Sequence, residues 1–106
     1  MVKQYDIYWI NLDPTRGSEI NKTRPCLVVS PGVSNKHLNT VLIAPITSSV
    51  RKFPMRMDLI LQGKKGQVAL DQIRCVDKSR LSNLITGLGK NKIAELKSIL
   101  KEYLID

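Results

Sequence analysis

The sequence predicts a small, mainly β fold in which short antiparallel strands form a barrel or rolled sheet and one amphipathic C-terminal helix packs against it. Three observations carry this prediction. Short apolar runs rich in Val, Ile and Leu recur up to about residue 86, and turn residues such as Asp13-Pro14, Pro31-Gly32 and Gln62-Gly63 separate them; that punctuation marks a barrel or rolled sheet. The pattern then changes: Ile93, Leu96, Ile99, Leu100, Tyr103 and Leu104 recur at helical spacing, while Lys92, Glu95, Lys97, Lys101 and Glu102 mostly face away. Finally, the 106 residues, 42% hydrophobic and 25% charged, contain no repeat, linker or low-complexity stretch. Residues 1–106 therefore read as one domain, large enough to fold without disulfides.

Taken in order, Tyr5 to Leu12 alternates imperfectly, with Tyr5, Ile7 and Trp9 on one face and Tyr8, Ile10 and Leu12 on the other, as in a strand covered on both sides. Asp13 to Thr23 is a loop opened by Pro14 and Gly17; its length suits function better than mere connection. Arg24 to Ser30 is the second strand, closed by Pro31-Gly32, and Val33 to Asn39 reads as a polar loop holding the only histidine, His37. Thr40 to Ile46 is the third strand, Thr47 to Pro54 a loop, and Met55 to Leu61 the fourth strand. Gln62 to Gly66 reads as a turn, followed by short strands at Gln67–Leu70 and Gln72–Val76. Asp77-Lys78-Ser79 makes a tight connection to a last strand at Arg80–Thr86, and Asn91 is the expected helix N-cap.

Composition limits the function. The chain holds 17 Lys and Arg against 9 Asp and Glu, a net charge of +8. Thirteen of the basic and six of the acidic residues precede residue 90, so the excess belongs to the strands and loops. Such a balance fits a polyanion or an acidic protein partner, although Lys64-Lys65 and the lysines of the tail read equally as solubilising surface. Cys26 and Cys75 lie in strand segments without ligand spacing and are expected to be buried, reduced thiols; two Cys and one His fall short of a zinc set within one chain. No apolar run reaches membrane-spanning length and the N-terminus lacks a signal-peptide core, so a cytoplasmic protein with no membrane association is expected.

The functional signal lies in two segments, Asn21 to Ser30 and Asn39 to Ser49. In each, polar groups border a buried strand, at its start in the first and at its end in the second. If these strands are antiparallel neighbours, Arg24 comes close to Thr47. The same residues also fit a plain sheet edge, with Pro25 opening a strand and Thr47-Ser48-Ser49 making a turn.

A family resemblance bears on that choice. Asp13-Pro14-Thr15, Gly17-Ser18-Glu19, Thr23-Arg24-Pro25, Asn39-Thr40-Val41, Pro45-Ile46-Thr47-Ser48, Asp71-Gln72-Ile73-Arg74 and Asp77-Lys78-Ser79-Arg80-Leu81 together resemble the MazF/PemK toxins over nearly the whole chain. Each piece is short, but their order and spacing are jointly specific. The resemblance implies an SH3-like, CcdB/MazF-type barrel that forms a homodimer. It also implies a ribosome-independent endoribonuclease that cuts single-stranded RNA and is held in check by an antitoxin.

Metal-free RNA cleavage needs a cation at the phosphate and donors for its oxygens. Arg24 supplies a permanent charge on a planar fork of donors, and Thr47 a hydroxyl; the resemblance makes these two positions the catalytic pair and Glu19 a supporting acid. Glu19 fits either an orienting role on Arg24, a proton acceptor, or a solvated loop acid. His37 stands alone, and the acidic residues are scattered without the clustering of a two-metal site, so neither metal nor cofactor is expected. Ser18, Lys22, Thr23, Ser48, Arg51, Lys52 and Arg74 are the expected substrate contacts, with Phe53 either stacking on a base or closing the core rim. An acidic antitoxin segment would compete for the same positive surface. The competing readings are a CcdB-like gyrase-binding toxin and a non-catalytic SH3-like binding module; Arg24 and Thr47 in their motif contexts favour the nuclease.

Overall fold

The computed structural model describes residues 1–106. Seven strands, β1 (Asp6–Asn11), β2 (Thr23–Val28), β3 (Thr40–Thr47), β4 (Arg56–Leu61), β5 (Lys64–Ala69), β6 (Arg74–Asp77) and β7 (Leu81–Gly87), form a curled antiparallel sheet. The strand order is β4-β5-β3-β2-β1-β7, with β6 paired to β3. Helix α1 (Gly32–His37) joins β2 to β3, and α2 (Lys90–Leu100) follows β7. No helix is long and apolar enough to cross a membrane.

Strand β3 is the hub. One side pairs with β2; the other is shared, residues 40–43 with β6 and Ile46 and Thr47 with β5. Pro45, which has no N–H, falls in the gap between those two ladders, where a missing donor costs least. Alternation then divides the apolar side chains. Leu27, Ala44 and Ile46 join Ile7, Met57, Leu59, Val68, Leu70 and Leu96 of α2 in one core. Cys26, Val28, Val41 and Ile43 join Ile10, Leu12 and Val76 in a second core on the opposite face. Burial on both faces explains why β2 and β3 read as continuous apolar runs.

Several local expectations need correction. The segment read as a polar loop contains α1, which has no apolar stripe to reveal it. A buried amide anchors it instead: Asn35 Nδ2 donates to the Ser30 carbonyl at 2.8 Å, and Ser30 Oγ donates to Asn35 Oδ1. The supposed five-residue turn is a two-residue hairpin, with Gln62 at φ +52° and Gly63 at φ +78°. Two consecutive positive φ values give a turn whose twist matches the strands it joins, so Lys64 and Lys65 belong to β5. Cys75 is exposed, because β6 pairs on one side only and its residues alternate: Cys75 lies opposite exposed Leu42, and Val76 opposite buried Val41.

At the C-terminus, Gly89 rather than Asn91 caps α2; its carbonyl accepts from Ile93 N–H at 2.9 Å. Tyr103 and Leu104 are not buried against the sheet. The helix ends in a π turn, Lys101–Ile105, and that wider spacing swings the apolar stripe outward, leaving both side chains exposed.

Candidate functional site: an open cleft with unpaired cations

Cys26 pairs with Pro45 across β2 and β3, and continuing that register by two residues puts Arg24 level with Thr47. Both line one open cleft of about 350 Å³, together with Thr23, Ser48, Trp9 and the β4–β5 hairpin. The sequence motifs at the two strand ends thus meet, as expected of antiparallel neighbours.

The electrostatics are one-sided. Arg24, Lys64 and Lys65 line the cleft and no carboxylate does. Arg24 is half-buried; its Nε donates to the Asn21 carbonyl at 3.1 Å, which fixes the stem, and it has no ion-pair partner. Thr47 is only 8% exposed. Its Oγ1 accepts from Ser49 N–H at 3.1 Å, and its own O–H remains a further donor. Below them lies Cys26, whose Sγ contacts the Arg24 carbonyl at 3.5 Å. Burial pushes this thiol up to about 12 against the pull of Arg74 and Arg24, so it remains a neutral packing group.

Hairpin geometry keeps the cleft narrow. Gly66 passes so close to β3 that a Cβ there would stand 3.1 Å from the Thr47 carbonyl oxygen. Trp9, Lys64 and Lys65 are the site residues that the sequence reading missed. The Gln62-Gly63 dipeptide was the available signal for the lysines, since a two-residue turn there makes both of them strand residues.

Other expected residues sit elsewhere. Glu19 and Ser18 line a neighbouring cavity of about 400 Å³ with Pro45, Asp71, Gln72 and Arg74. Glu19 accepts from the Arg16 backbone N–H and does not reach Arg24, so the structure does not support an orienting role on that guanidinium. Arg74 Nη1 donates to the Leu12 carbonyl at 3.0 Å, so part of its fork holds the loop. Gln72 grips the same loop, accepting from Ile20 N–H at 2.6 Å and donating to the Ser18 carbonyl at 3.3 Å.

Asp71 forms a two-pronged pair with Arg56, at 2.6 and 3.0 Å, and that hydrogen bonding holds its carboxyl below the usual carboxylate range. Lys22 is exposed at φ +66°, its N–H held by Asp13 Oδ1 at 3.1 Å. Arg51, Lys52 and Phe53 are exposed on the β3–β4 loop outside the cleft lining. Phe53 is therefore not a core residue. No group of three or more His, Cys, Asp and Glu side chains is placed to share a metal ion.

Fold and site together define a small, basic β-sheet protein with an open cationic cleft between two long loops and a hairpin. The chain belongs to the PemK-like, MazF-like toxin family of type II toxin-antitoxin systems, whose model matches residues 3–104. It is 31% identical to the endoribonuclease MazF of Staphylococcus epidermidis, over 94% of this chain and 88% of that one. Among solved structures it resembles MazF (Form-I) of Deinococcus radiodurans, with a TM-score of 0.84 at 28% identity, covering 97% of this chain and 96% of that one. An endoribonuclease from a mycobacterial species, solved in complex with its cognate antitoxin, superposes with a TM-score of 0.83 over 98% and 95% of the two chains. At 19% identity the last likeness speaks to the fold alone.

Proposed function

We propose that the chain is a toxin endoribonuclease that cleaves single-stranded RNA without metal, and that Arg24 and Thr47 are its catalytic pair. The observation that carries this reading is the shared cleft, lined both by a guanidinium free of carboxylate partners and by a hydroxyl that accepts one backbone N–H and keeps its own proton to donate. A phosphodiester placed there receives charged donors from Arg24 and a neutral donor from Thr47 on its non-bridging oxygens. The neighbouring 2′-hydroxyl attacks phosphorus, giving its proton to solvent, as the bond to the 5′-oxygen breaks and that oxygen takes up a proton from solvent. The products are a 2′,3′-cyclic phosphate and a 5′-hydroxyl.

Lys64 and Lys65 hold flanking phosphates from the hairpin side. Lys22, Thr23 and Ser48 continue the grip from the loops, and Arg51, Lys52 and Phe53 meet the strand further out. Glu19 acts on the β1–β2 loop through Arg16 rather than on the reacting groups. The same unpaired cations suit an acidic antitoxin segment that occupies the RNA site, within a single-domain protein that works in the cytoplasm as a homodimer.

The test is incubation of the purified protein with a long unstructured RNA in excess EDTA. Discrete fragments ending in cyclic phosphate are expected. Retarded but intact RNA would overturn the nuclease reading.

A further inference from the structure

Beside the cleft lies a buried amide that no step above uses. Gln67, on β5, is 4% exposed and occupies the middle of a cross-strand row, opposite Thr47 on one side and Asp58 on the other. Its side chain reaches the β3–β4 loop and substitutes for a strand. Oε1 accepts from Arg51 N–H at 2.9 Å, and Nε2 donates to the Arg51 carbonyl at 2.9 Å. The same Nε2 donates to Asp58 Oδ1 at 2.7 Å. Since a carboxylate only accepts, Asp58 fixes which end of the amide faces Arg51; a flipped amide would set oxygen against oxygen at both partners.

Few other bonds tie this loop down. Ser49 N–H is held by Thr47 at its start, and the Phe53 carbonyl accepts from Arg56 N–H near its end. Between them, Gln67 supplies the only hydrogen bonds to the body of the protein. Without it the backbone groups of Arg51 lose both partners, and the span from Val50 to Lys52 is free to wander.

We propose that Gln67 is a positioning residue for substrate register. By gripping the Arg51 backbone it fixes where the Arg51 and Lys52 charges and the Phe53 ring stand relative to Arg24 and Thr47. It thereby sets which nucleotides are accepted, without touching the reacting phosphate. The inference rests on the endoribonuclease reading and adds a determinant of specificity to it.

The experiment compares wild type, Gln67→Ala and Asp58→Ala by steady-state RNA cleavage, by sequencing of fragment ends and by thermal melting. Loss of two backbone clamps in Gln67→Ala is expected to raise KM roughly tenfold, to leave kcat within a few-fold, and to spread the fragment ends onto sites the wild type spares. Asp58→Ala changes an exposed side chain and is expected to show the same pattern in weaker form. A fall in kcat at unchanged KM would overturn the proposal, as would unchanged KM and fragment ends. If Gln67→Ala fails to fold, Asp58→Ala decides by the same criteria. A wild type that leaves RNA intact overturns the nuclease reading itself, and the inference with it.

Discussion

Two cavities adjoin along β3, and they differ in how their charges are used. Around the larger, the lining Asp71 is taken up by Arg56 from outside it, Arg74 is spent partly on the Leu12 carbonyl, and Gln72 closes two backbone groups of the β1–β2 loop. In the smaller, Arg24, Lys64 and Lys65 face a volume without a carboxylate. The contrast separates cations that hold the chain together from cations that the fold leaves without a partner. Arg24 is half-buried and has no carboxylate partner, whereas Arg56, the more buried guanidinium, is paired with Asp71.

The strongest way to break this comparison is to exchange the roles by mutation. Arg24→Ala is expected to lower cleavage by at least about 10²- to 10³-fold, the range for loss of one preorganised transition-state donor, at an almost unchanged melting temperature. Arg56→Ala is expected to do the opposite, costing about 2 kcal/mol for a charge-assisted pair with cleavage per folded molecule preserved. Calorimetry and initial rates on the two variants decide it; an Arg56→Ala protein that folds stably but does not cut would erase the distinction. Thr47→Val comes next. It keeps the strand and removes the donor, and a rate loss of about 10²-fold is expected, with little change in RNA affinity measured by titration.

A smaller effect sharpens the cleft's outline. If Lys64 and Lys65 each hold a phosphate, the Lys64→Gln/Lys65→Gln pair should weaken RNA binding across sequences. It should also flatten the dependence of log affinity on log salt by about 1.4, at roughly 0.7 per charge on a single strand. Unchanged salt dependence would return both lysines to the solvated surface.

The smallest effect concerns Cys26. Its folded value, pushed up to about 12 from an ordinary 9.0 by burial, means that between those values the unfolded chain has released a proton that the native chain retains. Stability should therefore decline as pH rises through that window. In Cys26→Ala this component of the decline should vanish from the melting curves, while one of equal steepness would assign it to other groups.

Much of this arrangement is legible in the sequence alone. The apolar runs gave β1 to β4 nearly to their ends, and the antiparallel neighbour relation of β2 and β3 was enough to bring Arg24 beside Thr47. What stayed hidden had physical reasons. Helix α1 is held by Asn35 and Ser30, a polar anchor that leaves no periodicity to read. Lys64 and Lys65 are exposed, as a solubilising pair would be, and it is the two-residue Gln62-Gly63 turn that puts them on β5 beside the cleft. Glu19 sits next to the Arg24 segment in sequence, yet the β1–β2 loop carries it into the other cavity. Loop paths depend on bonds such as those of Gln72 and Arg74, which connect residues more than 50 positions apart; local pattern cannot express them.

The two-sided burial of β2 and β3 has a further consequence. A strand pair enclosed above and below should be the last part of the molecule to open, with its amides slowest to exchange with deuterium. Arg24 and Thr47 are rooted at the ends of that pair, whereas the middle of the β3–β4 loop is tied to the body by one side chain, Gln67 of β5. If Arg24 and Thr47 are the catalytic pair, substitutions in the β3–β4 loop should alter the choice of RNA sequence while the cutting geometry stays anchored in the most durable part of the sheet.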